Sequence, residues 1–95
     1  MSDRLTQFRH WIKEQGLKAT SQREDIAQVF FSADRHISVE ELYGEVRRLN
    51  PRVGYATVYR TMKLLKECGL AEERHGWIPR TIIAVHQLTP VRHML

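Results

Sequence analysis

Residues 54–69 hold the side chains of this sequence best suited to recognising another molecule: Tyr55, Thr57, Tyr59, Arg60 and Lys63. If the stretch is a helix, Val58, Met62 and Leu65 fall at i, i+4 and i+7 and bury one face, which leaves those five mostly off it. An Arg satisfies two acceptors on a guanine edge, and Thr, Ala or Tyr can meet thymine methyls or phosphates, so such a face suits the major groove of duplex DNA. From Arg47 to Lys66 there are six basic residues (Arg47, Arg48, Arg52, Arg60, Lys63 and Lys66) and no acidic one. Positive charge is gathered here, in a chain whose 15 basic and 11 acidic residues are otherwise mixed. An ordinary amphipathic helix with a solvated basic face has the same pattern, so the surrounding elements have to decide.

Three further helices are expected to position that face. Residues 3–15 place Leu5, Phe8 and Ile12 at helical spacing with Trp11 beside them, and Gly16 is a natural stop. Leu17-Lys18-Ala19 connects to a second helix that Thr20 or Ser21 can cap, with Glu24 completing a capping box with Ser21. Ile26, Val29 and Phe30 form its buried stripe, which runs to about residue 31. Ser38 caps the third helix with Glu41 at the third helical position, Val39, Leu42, Val46 and Leu49 make its apolar stripe, and Asn50-Pro51 ends it. Pro51-Arg52-Val53-Gly54 then turns into the fourth helix, which Gly69 stops at positive φ with Lys66 complementing the dipole in the last turn.

Two helices joined by a short glycine-containing turn, the second of them basic, outline a helix-turn-helix. After Gly69 the run Leu70-Ala71-Glu72-Glu73-Arg74-His75 reads as a strand, Gly76-Trp77 as a turn and residues 81–85 as a second strand. The expected fold is therefore mainly α: a winged helix-turn-helix of four helices followed by a small β-hairpin wing. Arg74, Arg80 or Arg92 would then be available to phosphate or minor groove.

At 95 residues the chain suits a single domain, too short for a large enclosed cleft in addition to its scaffold. A net charge of +4 favours an anionic partner. Cys68 is the only cysteine, which excludes an intrachain disulfide and a cysteine-based zinc cluster and favours a reducing compartment. No apolar run reaches the length of a signal-peptide core or a membrane span, so a cytoplasmic location is expected. No nucleophile, base and orienting group can be assembled, Glu40, Glu41 and Glu45 are accounted for by capping and solvation, and no glycine-rich phosphate loop is present, so no enzyme is expected. The histidines are His10, His36, His75, His86 and His93, but residues 76–95 contain no acidic partner for them. A complete metal site within one chain is not expected.

Three ordered segments carry a family resemblance: Gly16-Leu17-Lys18-Ala19-Thr20-Ser21-Gln22-Arg23, His36-Ile37-Ser38-Val39-Glu40-Glu41-Leu42-Tyr43 and Tyr55-Ala56-Thr57-Val58-Tyr59-Arg60. With them the sequence resembles the ferric uptake regulator (Fur) family of bacterial metal-responsive repressors. The resemblance implies a winged-helix DNA-binding domain whose fourth helix, around residues 56–63, enters the major groove of an AT-rich palindromic operator. It further implies that Tyr59 and Arg60 approach bases and backbone, and that Lys18 reaches the minor groove, where a narrow AT tract attracts a cation. Arg23 at a helix start and Arg52 in the turn are placed near phosphate by charge and position. The expected DNA-binding set is thus Lys18, Arg23, Arg52, Tyr55, Thr57, Tyr59, Arg60 and Lys63.

His36 matches a family histidine that joins a regulatory metal site, and is the one metal residue implied. Family members are expected to continue into a dimerising domain with histidine-rich metal sites, so iron or zinc and a homodimer are implied for a full-length relative. For this chain alone no cofactor and a monomer are the expectation. From Gly76 onward, Gly-Trp-Ile-Pro-Arg departs from the family's wing turn, which divides the chain into a winged-helix DNA-binding domain at 1–75 and a wing remnant or irregular tail at 76–95. That abrupt loss of pattern fits a reading frame that keeps the DNA-binding half and replaces its natural continuation. The alternative from another class is a winged-helix protein-interaction module whose basic face meets an acidic protein.

Overall fold

A helix leaves its terminal backbone groups without partners, and the way this chain satisfies them sets where its elements begin and end. The computed structural model describes residues 3–33, 35–74 and 76–79. In chain order these form α1 (Asp3–Glu14), α2 (Ser21–Ala33), α3 (Val39–Leu49), α4 (Tyr55–Glu67), β1 (Ala71–Glu73) and β2 (Trp77–Pro79). The fold is a winged helix-turn-helix, with α3 and α4 as the helix pair and the hairpin after them.

Helices α1 and α4 end in the same way, at Gly16 with φ 76° and at Gly69 with φ 87°. Leu17 and Gly16 N–H donate to the Ile12 and Lys13 carbonyls at 3.0 Å each, and Leu70 and Gly69 N–H to the Leu65 and Lys66 carbonyls at 2.9 and 3.1 Å. This pair of bonds closes a helix C-terminus only if the intervening residue is left-handed, hence glycine. The capping box expected on α3 is present: Ser38 Oγ accepts from Glu41 N–H at 3.0 Å, and Glu41 Oε1 accepts from Ser38 N–H at 3.1 Å.

The box expected between Ser21 and Glu24 does not form. Thr20 Oγ1 accepts the Arg23 N–H at 3.2 Å and so caps α2. The Glu24 carboxylate is instead held by two nitrogens of the Arg9 guanidinium, at 2.8 and 3.1 Å. A forked, charge-assisted contact outcompetes a single backbone N–H, and its effect here is to tie α1 to α2. Helix α2 also runs past residue 31, to Ala33.

Ile26 and Phe30 of α2, Leu42 and Val46 of α3, and Val58, Met62 and Leu65 of α4 are all buried, and Phe8 and Ile12 of α1 close the same core. Leu49, which completes the α3 stripe in the sequence, is 57% exposed at the end of its helix.

The strands β1 and β2 pair antiparallel, with Glu73 opposite Trp77 and Ala71 opposite Pro79. The second strand thus begins at Trp77, which the sequence placed in a turn; the strand expected at 81–85 lies outside the described residues. On its other side Trp77 exchanges two backbone bonds with Ile37, each 2.8 Å, so the α2–α3 connection adds a rung to the hairpin. The indole is 2% exposed. A side chain that can bury about 150–250 Å² is better accommodated in the core than in a solvated turn, which is why the strand starts there. Core packing therefore continues beyond Gly76.

Trp77→Ala is expected to destabilise the domain by about 3–5 kcal/mol, read as a drop in denaturant midpoint. A loss below about 1 kcal/mol, the size typical of ordinary substitutions, would show that the hairpin is not anchored in the core.

Candidate nucleic-acid interface

Helix α4 begins at Gly54 with no side-chain cap and no acidic residue in its first turn. Its inner side is Val58, Thr61, Met62 and Leu65. Thr61 is a buried polar residue whose hydroxyl donates to the Thr57 carbonyl at 2.8 Å, so it needs no other partner. On the outer side Tyr55 and Tyr59 are 43% and 42% exposed, well above what a core aromatic retains. Ala56, Arg60 and Lys63 are exposed and Thr57 is half-buried.

The two tyrosines differ in their constraints. The Lys63 ammonium sits 5.6 Å from the Tyr59 ring centroid, within cation–π range. Tyr55 is fastened to α3, where its hydroxyl donates to Glu40 Oε2 at 3.3 Å and its ring meets Tyr43 edge-on, at 5.6 Å and 82°. Partial desolvation, and then the Glu40 charge, raise the Tyr55 phenol above its ordinary value, so it stays protonated and serves as a donor.

Ion pairing sorts the cations. Arg9 pairs with Glu24, Arg35 with Glu41 and Glu45, Lys66 with Glu73, and Arg74 with Glu72. Arg47, Arg48, Arg52, Arg60 and Lys63 take part in no ion pair recorded among the described residues. Of the six basic residues noted in the sequence, only Lys66 is therefore neutralised, by Glu73 at 3.5 Å.

Elsewhere the expected site residues are placed as follows. Arg23 Nη1 donates to the Lys18 carbonyl at 2.6 Å, so the half-buried Arg23 braces the loop that carries the exposed Lys18. Arg52 is exposed on the α3–α4 turn, where its N–H donates to Asn50 Oδ1 at 3.1 Å, and Asn50 Nδ2 in turn reaches Asp25 Oδ2 of α2 at 3.3 Å. The structure thus gathers Tyr55, Thr57, Tyr59, Arg60 and Lys63 along one helix, joins Lys18 to Arg23, and holds Arg52 on a turn pinned to α2. Tyr43 and Arg47 join this surface without having been singled out in the sequence as contacts, although their i, i+4 spacing was a readable signal.

His36 is exposed, one residue before the Ile37 rung, and its imidazole packs beside Gly76. A Cβ at position 76 would come within 3.0 Å of that ring, and the φ of 150° also suits glycine. Among the described residues no group of three or more His, Cys, Asp or Glu side chains could hold a metal ion. Among the described residues His36 is thus not part of a donor set that could hold iron or zinc. A groove of about 440 Å³ beside Trp11, Cys68 and Leu70 contains none of the expected contact residues.

A helix pair joined by a short turn, a hairpin after it, and a second helix whose outer face is cationic and tyrosine-bearing define a winged-helix domain of the kind found in transcriptional regulators. The sequence profile of the Ferric uptake regulator family matches residues 14–94, and the chain belongs to that family. It is 43% identical over 65 residues to the ferric uptake regulation protein of Campylobacter upsaliensis, an alignment covering 66% of this chain and 42% of that protein. Among solved structures it is similar to the Vibrio cholerae ferric uptake regulator, with 31% identity and a TM-score of 0.63 over 78% of this chain and 62% of the other. It is also similar to a zinc-bound manganese uptake regulator, with 28% identity and a TM-score of 0.65 over 79% of this chain and 61% of the other. Matches to curated relatives take in 41% to 50% of their length, so the chain spans about half of them. Among the described residues no helix is long and apolar enough to cross a membrane.

The end of α4 has a pH signature of its own. Burial pushes the Cys68 thiol up from 9.0 to about 11, although backbone hydrogen bonds oppose the shift. A group whose proton is held more tightly in the folded state contributes stability that is fully present below its unfolded value and is lost as pH rises through the folded one. The expected outcome is slow iodoacetamide alkylation of the native chain at neutral pH, with a midpoint near 11, and much faster alkylation after unfolding in urea. Equal rates in the two states would show the thiol to be unshielded.

Proposed function

We propose that this chain is the DNA-reading domain of a Fur-type, metal-responsive transcriptional repressor. The observation that carries the reading is a cluster of cations on the α3–turn–α4 side, Arg47, Arg48, Arg52, Arg60 and Lys63, that have no recorded acidic partner. Arg9, Arg35, Lys66 and Arg74 are each paired with a carboxylate, and the other unpaired cations among the described residues, Arg4, Lys13, Lys18 and Arg23, are spread over α1, the loop after it and the start of α2. A free surface cation exchanges counterions for phosphates on binding, whereas a paired one must first lose its partner.

In this reading α4 lies in the major groove, whose width of about 12 Å admits a helix. Tyr59, Arg60 and Thr57 meet base edges or the adjoining backbone, and Tyr55, tethered to α3, sets the depth at the helix start. Lys63, Arg52 and Arg23 serve the phosphates, and Lys18 the narrow minor groove of an AT-rich palindromic operator. A palindrome is matched by two-fold symmetry, so a homodimer belongs to the full-length form, and the chain alone would bind one half-site weakly. Relatives named for zinc and manganese support a metal signal in that longer form, to which His36 would contribute a single imidazole. The site of action would be the cytoplasm, and no catalytic role is included.

A mobility-shift titration of the chain on an AT-rich palindromic duplex and on a mixed-sequence duplex tests this. Arg60→Ala is expected to lose about 1–3 kcal/mol of the preference for the palindrome, and binding by the wild type should weaken steeply with salt. If Arg60→Ala and the wild type bind both duplexes equally, the major-groove assignment fails, and an acidic protein becomes the better candidate for the basic face.

A further inference from the structure

The cationic surface does not stop at α4. Arg47 lies in the last turn of α3. Its guanidinium carbon is 5.5 Å from the Tyr43 ring centroid, and its Nη1 is 3.4 Å from the Tyr43 hydroxyl, a long contact. Tyr43 in turn meets Tyr55, the first residue of α4, at 5.6 Å. A continuous row therefore leads from the start of the proposed reading helix, across two rings, to an exposed arginine on the neighbouring helix. Glu40, the acidic side chain recorded in this row, is engaged by the Tyr55 hydroxyl and not by Arg47.

A guanidinium resting on an aromatic ring is restrained in position while most of its rim of N–H donors stays open, and that rim matches two oxygens of a phosphate. Restraint without neutralisation distinguishes Arg47 from Arg35, which Glu45 holds at 2.8 Å. The first helix of a helix-turn-helix crosses the DNA backbone, so α3 is placed to meet phosphate and not base edges. We infer that Arg47, seated on Tyr43, is a phosphate-binding site supplied by α3 to the backbone of the duplex that α4 reads. Tyr43 acts as the positioning residue. This inference rests on the DNA-reading proposal, since both concern one duplex.

The test is a salt titration of the full chain on the same two duplexes. Arg47→Ala is expected to weaken both by the same factor and to reduce the slope of log affinity against log salt by about one unit. The affinity lost between roughly 50 and 200 mM salt should then shrink about fourfold. Arg47→Lys should recover most of the slope, because the charge returns. Tyr43→Leu, which keeps apolar bulk but removes the ring, should weaken both duplexes alike and less than Arg47→Ala does; unchanged binding would remove Tyr43 from the site. Thermal melts by circular dichroism should show the Arg47 variants folded, as substitution of an exposed side chain leaves the core intact. An unchanged salt slope in Arg47→Ala, while Arg60→Ala still loses its preference for the palindrome, overturns the α3 site and leaves the α4 reading standing. Failure of the wild type to bind either duplex overturns both.

Discussion

The burial of Val58, Met62 and Leu65 against α2 and α3 sets the rotation of α4, and every statement about its outer face follows from that rotation. Each such side chain is worth about 1.5–3 kcal/mol when withdrawn from water. Turning the helix by one residue, about 100°, would bring Tyr59 or Arg60 towards the core and expose the stripe. An unpaired guanidinium in that position would be costly, so packing and charge select the same orientation. The helix needs no outside help to present its cations outward.

Pairing divides the remaining charges between two tasks. Arg9 with Glu24 fastens α1 to α2, and Arg35 with Glu45 braces the approach to α3. Surface pairs of this kind each add little stability, typically up to about 1 kcal/mol. They do restrict geometry, and they remove those cations from competition for an external anion. The cations on the α3–turn–α4 side are held differently, by aromatic rings at Tyr43 and Tyr59 or by no recorded side-chain contact at all, which leaves their charge intact.

Much of the architecture was legible because local signals are strong in this chain. The glycines at 16 and 69, the Ser38–Glu41 box and the stripe of α4 are short-range patterns, and each appears as expected. What was not legible depended on competition between distant groups. Glu24 had a plausible local use, but Arg9, on another helix, takes it. Trp77 looked like part of a turn because the second of its two backbone partners, Ile37, lies far upstream and carries no sequence mark of the pairing. The outer face of α4 was readable from spacing alone. Its extension onto α3 was only half-legible: the i, i+4 spacing of Tyr43 and Arg47 was there to be read, but the contact of the Tyr43 ring with Tyr55 on the next helix was not.

The reciprocal rung between Ile37 and Trp77 bears on how the chain acquires its structure during synthesis. Helices and their glycine stops can form as the polypeptide emerges, because every contact they need is close in sequence. The rung closes a long loop, and the entropy of that closure is lost before any gain is returned. An N-terminal nascent chain still waiting for its tryptophan would hold four helices around an incomplete centre, with apolar surface open to chaperones and proteases. Ribosomal release of a few residues past the hairpin, and not completion of the last helix, would mark the moment at which the domain becomes safe from them.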